Sequence, residues 1–119
     1  MRYTLKTFFL LLGLSSFSMA QMMQMAKLNA SDAAASDYFG YSVSISGDYA
    51  LVGAYGDDDG GSNSGSAYIF IRDGTSWSQQ AKLVASDAAA NDYFGKSVSI
   101  SGDYALVGAY YDDDAGNQS

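Results

Sequence analysis

A chain without His, Cys or Glu leaves its acid-base and ligand chemistry to 13 Asp side chains, and these include two runs, Asp57-Asp58-Asp59 before Gly60 and Asp112-Asp113-Asp114 before Ala115. Closely spaced short carboxylates on a Gly-rich loop suit a hard cation: calcium takes about six to eight oxygen ligands, and binding relieves the repulsion among them. Laid on a D-x-D-x-D-G pattern, Asp57 and Asp59 fill the second and third acidic positions, Tyr55 stands where the first belongs, and no Glu closes the loop near Ser66. The second run also loses the Gly, at Ala115. Two readings stay open. One is a solvated connecting loop whose charges keep the surface soluble, which the incomplete pattern favours. The other is a calcium site drawn from Asp57, Asp58, Asp59, Asp112, Asp113 and Asp114. Beyond calcium, no cofactor is indicated.

Tyr55, Tyr110 and Tyr111 border the acidic runs. Aromatic rings at a loop edge can stack on sugars or anchor a partner interface, and they can equally pack between structural units. Asp32, Asp37, Asp87 and Asp92 flank two alanine triplets, where side-chain to backbone hydrogen bonds would form turns. Asp48 and Asp103 are expected in hairpin turns. Catalysis is not expected: the composition excludes a thiolate nucleophile, the usual zinc site and a Ser-His-Asp triad. A formal charge of −7 and a pI near 4.1 argue against nucleic acid and anionic lipid as partners. A hydrophobic fraction of 48% is too high for disorder by composition.

Residues 1–20 carry Arg2 and Lys6, then an apolar run from Phe8 to Leu14, and close on Ser18-Met19-Ala20. That is the layout of a signal peptide cleaved after Ala20, with an apolar run shorter than the roughly 20 residues of a spanning helix. The expected protein is exported, secreted or cell-surface, and bacterial, with no membrane span after cleavage. Removing the segment takes away Arg2 and Lys6 and moves the formal charge from −7 to −9.

The acidic runs belong to a tandem duplication. Residues 26–64 and 81–119 align at a constant offset of 55 and agree at 32 of 39 positions, differing only at 29, 36, 41, 56, 60, 62 and 63. Within each copy Tyr41-Ser42-Val43-Ser44-Ile45-Ser46 alternates as a strand (a), Gly47-Asp48 turns the chain, and Tyr49–Ala54 follows as an apolar strand (b). After a polar loop over 55–65 come strand c over Ala67–Ile71 and strand d around Trp77–Leu83, with Trp77 as a core residue at its start. The serine face of strand a suits a crowded inner position. Gln24–Leu28 aligns with strand d and is expected as a lone d strand. A period near 50 with this content indicates antiparallel β-propeller blades. The expected organisation is a signal peptide at 1–20, a first repeat with one complete four-stranded blade at 21–80, and a second repeat truncated mid-blade at 81–119.

Phe39-Gly40 with Gly53-Ala54-Tyr55, and Phe94-Gly95 with Gly108-Ala109-Tyr110, resemble the FG-GAP repeat, the unit of the integrin alpha-chain β-propeller and of many exported bacterial proteins. Two departures mark this chain: Tyr replaces the final Pro of the motif, and the family's calcium loop is shortened to Gly47-Asp48 and Gly102-Asp103. No calcium ligand is carried over at that position. The resemblance implies an all-β, non-catalytic repeat module for adhesion or ligand binding, with a protein or glycan partner. The alternative is a purely structural segment, a fragment of a larger secreted or surface protein. Since a propeller closes with about four to eight blades, self-association through open blade edges is expected of the isolated chain.

Overall fold

The computed structural model describes residues 24–114, so the expected signal peptide and Ala115 lie outside the described residues. Six strands are present: β1 Ser42–Ser46, β2 Tyr49–Ala54, β3 Ser66–Asp73, β4 Ser76–Leu83, β5 Phe94–Ser101 and β6 Tyr104–Ala109. The first four pair in chain order as an antiparallel sheet, and β5 and β6 form a second, two-stranded antiparallel sheet. Among the described residues there is no helix, and hence none long and apolar enough to cross a membrane.

Alternation in β1 and β2 divides the four-stranded sheet into two unlike faces. Ala50, Val52 and Ala54 of β2 join Tyr68 and Phe70 of β3 on one face, where Ala30 completes the cluster and Leu28, Phe39 and Trp77 pack against it. The chain before β1 therefore serves as a lid over that face. The fully buried Leu51 lies on the opposite face, and burying a Leu side chain contributes about 1.5–3 kcal/mol. The serines of β1 also lie on this face, and their hydroxyls bind the backbone of β5 and of the turn after it. Ser42 Oγ donates to the carbonyl of Gly95 (2.7 Å), while Ser44 Oγ and Ser46 Oγ accept from the N–H groups of Ile100 and Gly102 (3.1 Å each). A small hydroxyl lets two sheets approach closely and satisfies a backbone group that would otherwise be stranded.

The Phe-Gly and Gly-Ala segments acquire a physical reason at this junction. A Cβ on Gly53 would stand 2.0 Å from the Gly95 carbonyl oxygen, and one on Gly95 would stand 2.3 Å from the Ser66 oxygen. Gly95 also has φ +94, outside the range L side chains adopt readily. Only hydrogen fits at either place.

The same stacking leaves two faces open. Val43 and Ile45 of β1 are 65% and 66% exposed, as is Leu106 of β6 at 75%. β6 repeats the sequence of β2 but not its burial, because β2 lies between β1 and β3 under the lid whereas β6 pairs with β5 alone. Gln24–Leu28 corrects the expectation of a lone d strand: it is irregular. A d strand needs a neighbouring c strand, and both edges of β3 are already taken, by β2 and β4. β5 also begins earlier than its copy β1, at Phe94, which pairs with Ala109 and bridges to Gly65 of the first repeat.

Candidate functional site

Lys82, on β4 opposite Tyr68 of β3, gathers the first acidic loop. Its Nζ lies 2.5 Å from Asp32 Oδ2 and 2.8 Å from Asp57 Oδ2, and it also binds Asp59 Oδ2. The Tyr68 hydroxyl sits between Asp32 Oδ1 (2.9 Å) and Asp57 Oδ2 (2.8 Å) and donates to them. Burial pushes the Asp57 carboxyl up, but Lys82, the Asp59 N–H and Tyr68 outweigh it and hold the group below its ordinary value. For Asp32 the hydrogen bond from Lys82 is the largest influence, and the carboxyl again lies low. Burial works against the Lys82 ammonium, yet its carboxylate partners raise it well above the usual lysine value. Burial, Asp57 and Asp32 likewise raise the Tyr68 phenol.

This geometry changes the reading of several residues. Asp57 is a buried, neutralised side chain rather than part of a solvated loop, and Asp32, which sits in a turn as expected, turns its side chain to the ion cluster. Asp58 stays outside the cluster, exposed, and accepts from the Asn63 N–H (2.8 Å). The second repeat brings together Asp87, Asp112 and Asp114, each with a carboxylate oxygen within 4.8 Å of the others, while Asp113 is exposed outside the group. Asp87, like Asp32, is thereby placed with the loop carboxylates. The Asp114 carboxyl is pushed up to about 6 by its hydrogen bond with Asp87 and by the charges of Asp112 and Asp87. As a calcium site the first cluster does not fit, since the Lys82 ammonium stands among its carboxylates. The second presents three carboxylates, to which calcium would have to add backbone carbonyls and water to reach its about six to eight oxygens.

The tyrosines converge elsewhere, in a groove of about 410 Å³ at the seam between the repeats, lined by Tyr38, Tyr55, Asn63, Tyr93, Lys96, Tyr110 and Tyr111. The two alanine turns position it. Asp37 Oδ2 accepts from the Ala34 N–H (3.1 Å) and Asp92 Oδ2 from the Ala89 N–H (2.8 Å), as expected of turn-forming Asp residues. Burial pushes the Asp37 carboxyl up, against the pull of the Ala34 N–H. One residue further on, Tyr38 and Tyr93 take left-handed backbones, with φ 56 and 58. A left-handed aromatic residue costs roughly 1–2 kcal/mol, which the turn must offset. Backbone bonds then tie the repeats together, from the Tyr93 N–H to the Asn63 carbonyl (3.1 Å) and from Phe94 to Ser64 (2.9 Å).

The rings form a continuous string. Tyr38 stacks on Tyr55 with centroids 4.9 Å apart, Tyr55 meets the edge of Tyr93 at 5.7 Å, and Tyr111 joins Tyr93 to Tyr110 at 5.5 and 4.5 Å. Lys96 Nζ lies 4.4 Å from the Tyr55 ring centre and 5.3 to 5.6 Å from those of Tyr41, Tyr93 and Tyr110. Such contacts are worth about 0.5–1 kcal/mol each at exposed sites. The structure thus unites Tyr55, Tyr110 and Tyr111, and places them both in packing and on an open groove. Sequence reasoning did not single out Tyr38, Tyr93, Lys96 or Lys82. Lys96 had a legible signal, because it stands where the first copy has Tyr41, one of the few places at which the copies differ.

A family model described as FG-GAP repeat matches residues 22–70 and 77–119. No curated protein and no solved structure matches the chain.

Proposed function

Because the chain belongs to the FG-GAP repeat family, we propose that it is an exported β-propeller repeat module that binds a protein or glycan partner and has no catalysis of its own. The tyrosine groove at the seam carries this reading. It is concave and polar, it is built by both repeats, and its rings pack on one another, which lowers the entropic cost of binding. FG-GAP repeats are typical of extracellular proteins, and the basic and apolar layout of residues 1–20 supports export. The case against catalysis is chemical: the Asp32, Asp57 and Asp59 carboxylates are engaged by Lys82, and no His, Cys or Glu is available.

Surface plasmon resonance of the purified protein against a panel of matrix proteins and glycans tests the proposal, with a Tyr55→Ala, Tyr110→Ala double variant as control. Saturable binding that the variant loses while staying folded supports it. No saturable binding to well-folded wild-type protein counts against it. A second reading, a structural repeat that only packs against further repeats, is favoured by the open faces at Val43, Ile45 and Leu106.

A further inference from the structure

The cations of this acidic protein are spent unequally. Arg72 pairs with Asp48, Lys82 with its cluster, and Lys27 is exposed on the segment before β1. Lys96 is half-buried and, among the described residues, has no carboxylate within ion-pair distance. Its ammonium is flanked by ring faces, which attract the charge but leave strong N–H donors without a strong acceptor.

The repeat itself says that this lysine is not needed for the fold. The equivalent residue in the first copy is Tyr41, immediately before β1, and the strand that follows it pairs in the same register as Ser97–Ser101 does with β6. The copies also part at Gly56 and Tyr111, and at Asn63 and Gln118. Lys96, Tyr111 and Asn63 all line the groove. Three of the seven differences therefore fall at the groove, and two of them, Lys96 for Tyr41 and Tyr111 for Gly56, add a cation and a ring in the second copy.

We propose that the groove takes a carboxylated oligosaccharide, its sugar faces laid on the tyrosine rings and a uronate carboxylate accepting from Lys96 Nζ. Ring faces match the C–H faces of a pyranose, while the phenol hydroxyls and the Asn63 amide match its hydroxyls. An apolar peptide would leave those polar groups unpaired. A single cation in a protein of charge −7 fits a sparsely charged sugar acid and disfavours a densely sulfated chain, which the surrounding carboxylates would repel. This assignment rests on the ligand-binding reading above and names its ligand class.

The test is calorimetric titration of the purified protein with a hexasaccharide that carries one uronate residue among neutral sugars, and with its methyl ester, in which the same ring carries no charge. Wild type and Lys96→Tyr are compared; the variant installs the residue that the first copy has at the equivalent position. The expected result is that wild type binds the uronate about tenfold more tightly than the ester, a charge-assisted hydrogen bond's worth, while K96Y binds both at the ester's affinity. Equal affinity of wild type for acid and ester would overturn the carboxylate assignment and leave the glycan reading standing. Binding of neither would overturn the assignment too, and the wider panel would then judge the ligand-binding reading by itself. A Lys96-dependent preference for an acidic peptide over the uronate would refute the sugar in favour of a protein partner.

Discussion

Replacing Lys82 by Met keeps much of the aliphatic stem and removes the charge that Asp32, Asp57 and Asp59 share. Two of these carboxylates can turn to water, since the side chains of Asp32 and Asp59 are 41% and 62% exposed. Asp57 cannot, at 4%. The penalty therefore falls on one buried, uncompensated carboxylate, about 3 kcal/mol, at the low end of what breaking a buried pair costs. For a domain of this size that is a fall in Tm of about 12–24 °C. The pH dependence supplies the sharper test. In the wild type Asp32 and Asp57 lie below their ordinary value of 3.8, so their stabilisation is present above that pH and is lost as pH falls through their folded values. Without the ammonium, burial raises Asp57 instead. The variant's deficit is then greatest at neutral pH and shrinks on acidification, as protonation removes the stranded charge. Urea denaturation of both proteins at neutral pH and near pH 4 measures this, and adding Asp57→Asn to Lys82→Met should recover much of the loss. A deficit under about 1 kcal/mol, or one that does not change with pH, would refute the claim that Lys82 offsets the buried carboxylate.

Three further outcomes follow from the same geometry. Gly95→Ala should cost more than about 2 kcal/mol and loosen the seam, because its Cβ would lie 2.3 Å from the Ser66 oxygen. Gly40→Ala, at the same motif position with φ +91 but nothing within 4 Å, should cost only the backbone strain of roughly 1–2 kcal/mol. Thermal melts that rank the two equally would contradict the close-approach explanation. Calcium at about 1 mM should raise the melting temperature by less than about 1 °C, given that Lys82 occupies the first cluster and the second is largely exposed, so that water competes for the ion; a rise of several degrees would reveal a cation site. Light scattering after size exclusion should give a mass that grows with concentration and that Ile45→Glu reduces without lowering Tm, whereas a monodisperse monomer at all concentrations would rule out association through the open faces.

The strands were legible because each signal was local. The alternation of Tyr41 to Ser46, the Gly47-Asp48 turn and the apolar Tyr49–Ala54 run mark β1 and β2. What the sequence hid was pairing. Gln24–Leu28 has the letters of a d strand, but a strand exists only where a neighbour offers a free edge, and alignment of the copies carries no such information. The acidic runs misled for a related reason. Asp57 and Asp58 are adjacent and alike, and only the reach of Lys82 from β4 makes one buried and leaves the other in water. Tyr55, Tyr110 and Tyr111 were visible at the loop edge, while Tyr38 and Tyr93 depend on left-handed backbones that a bulky residue rarely adopts. Lys96 shows that in a duplicated chain the mismatches carry as much as the matches.

Chemical-shift mapping of the labelled protein during titration with the uronate hexasaccharide tests the central claim most directly, that the seam between the repeats is the binding surface. Saturable shifts are expected at Tyr55, Tyr93, Lys96, Tyr110 and Tyr111, with the open faces at Val43, Ile45 and Leu106 unmoved. Shifts confined to those faces, or none at saturating sugar, would contradict it.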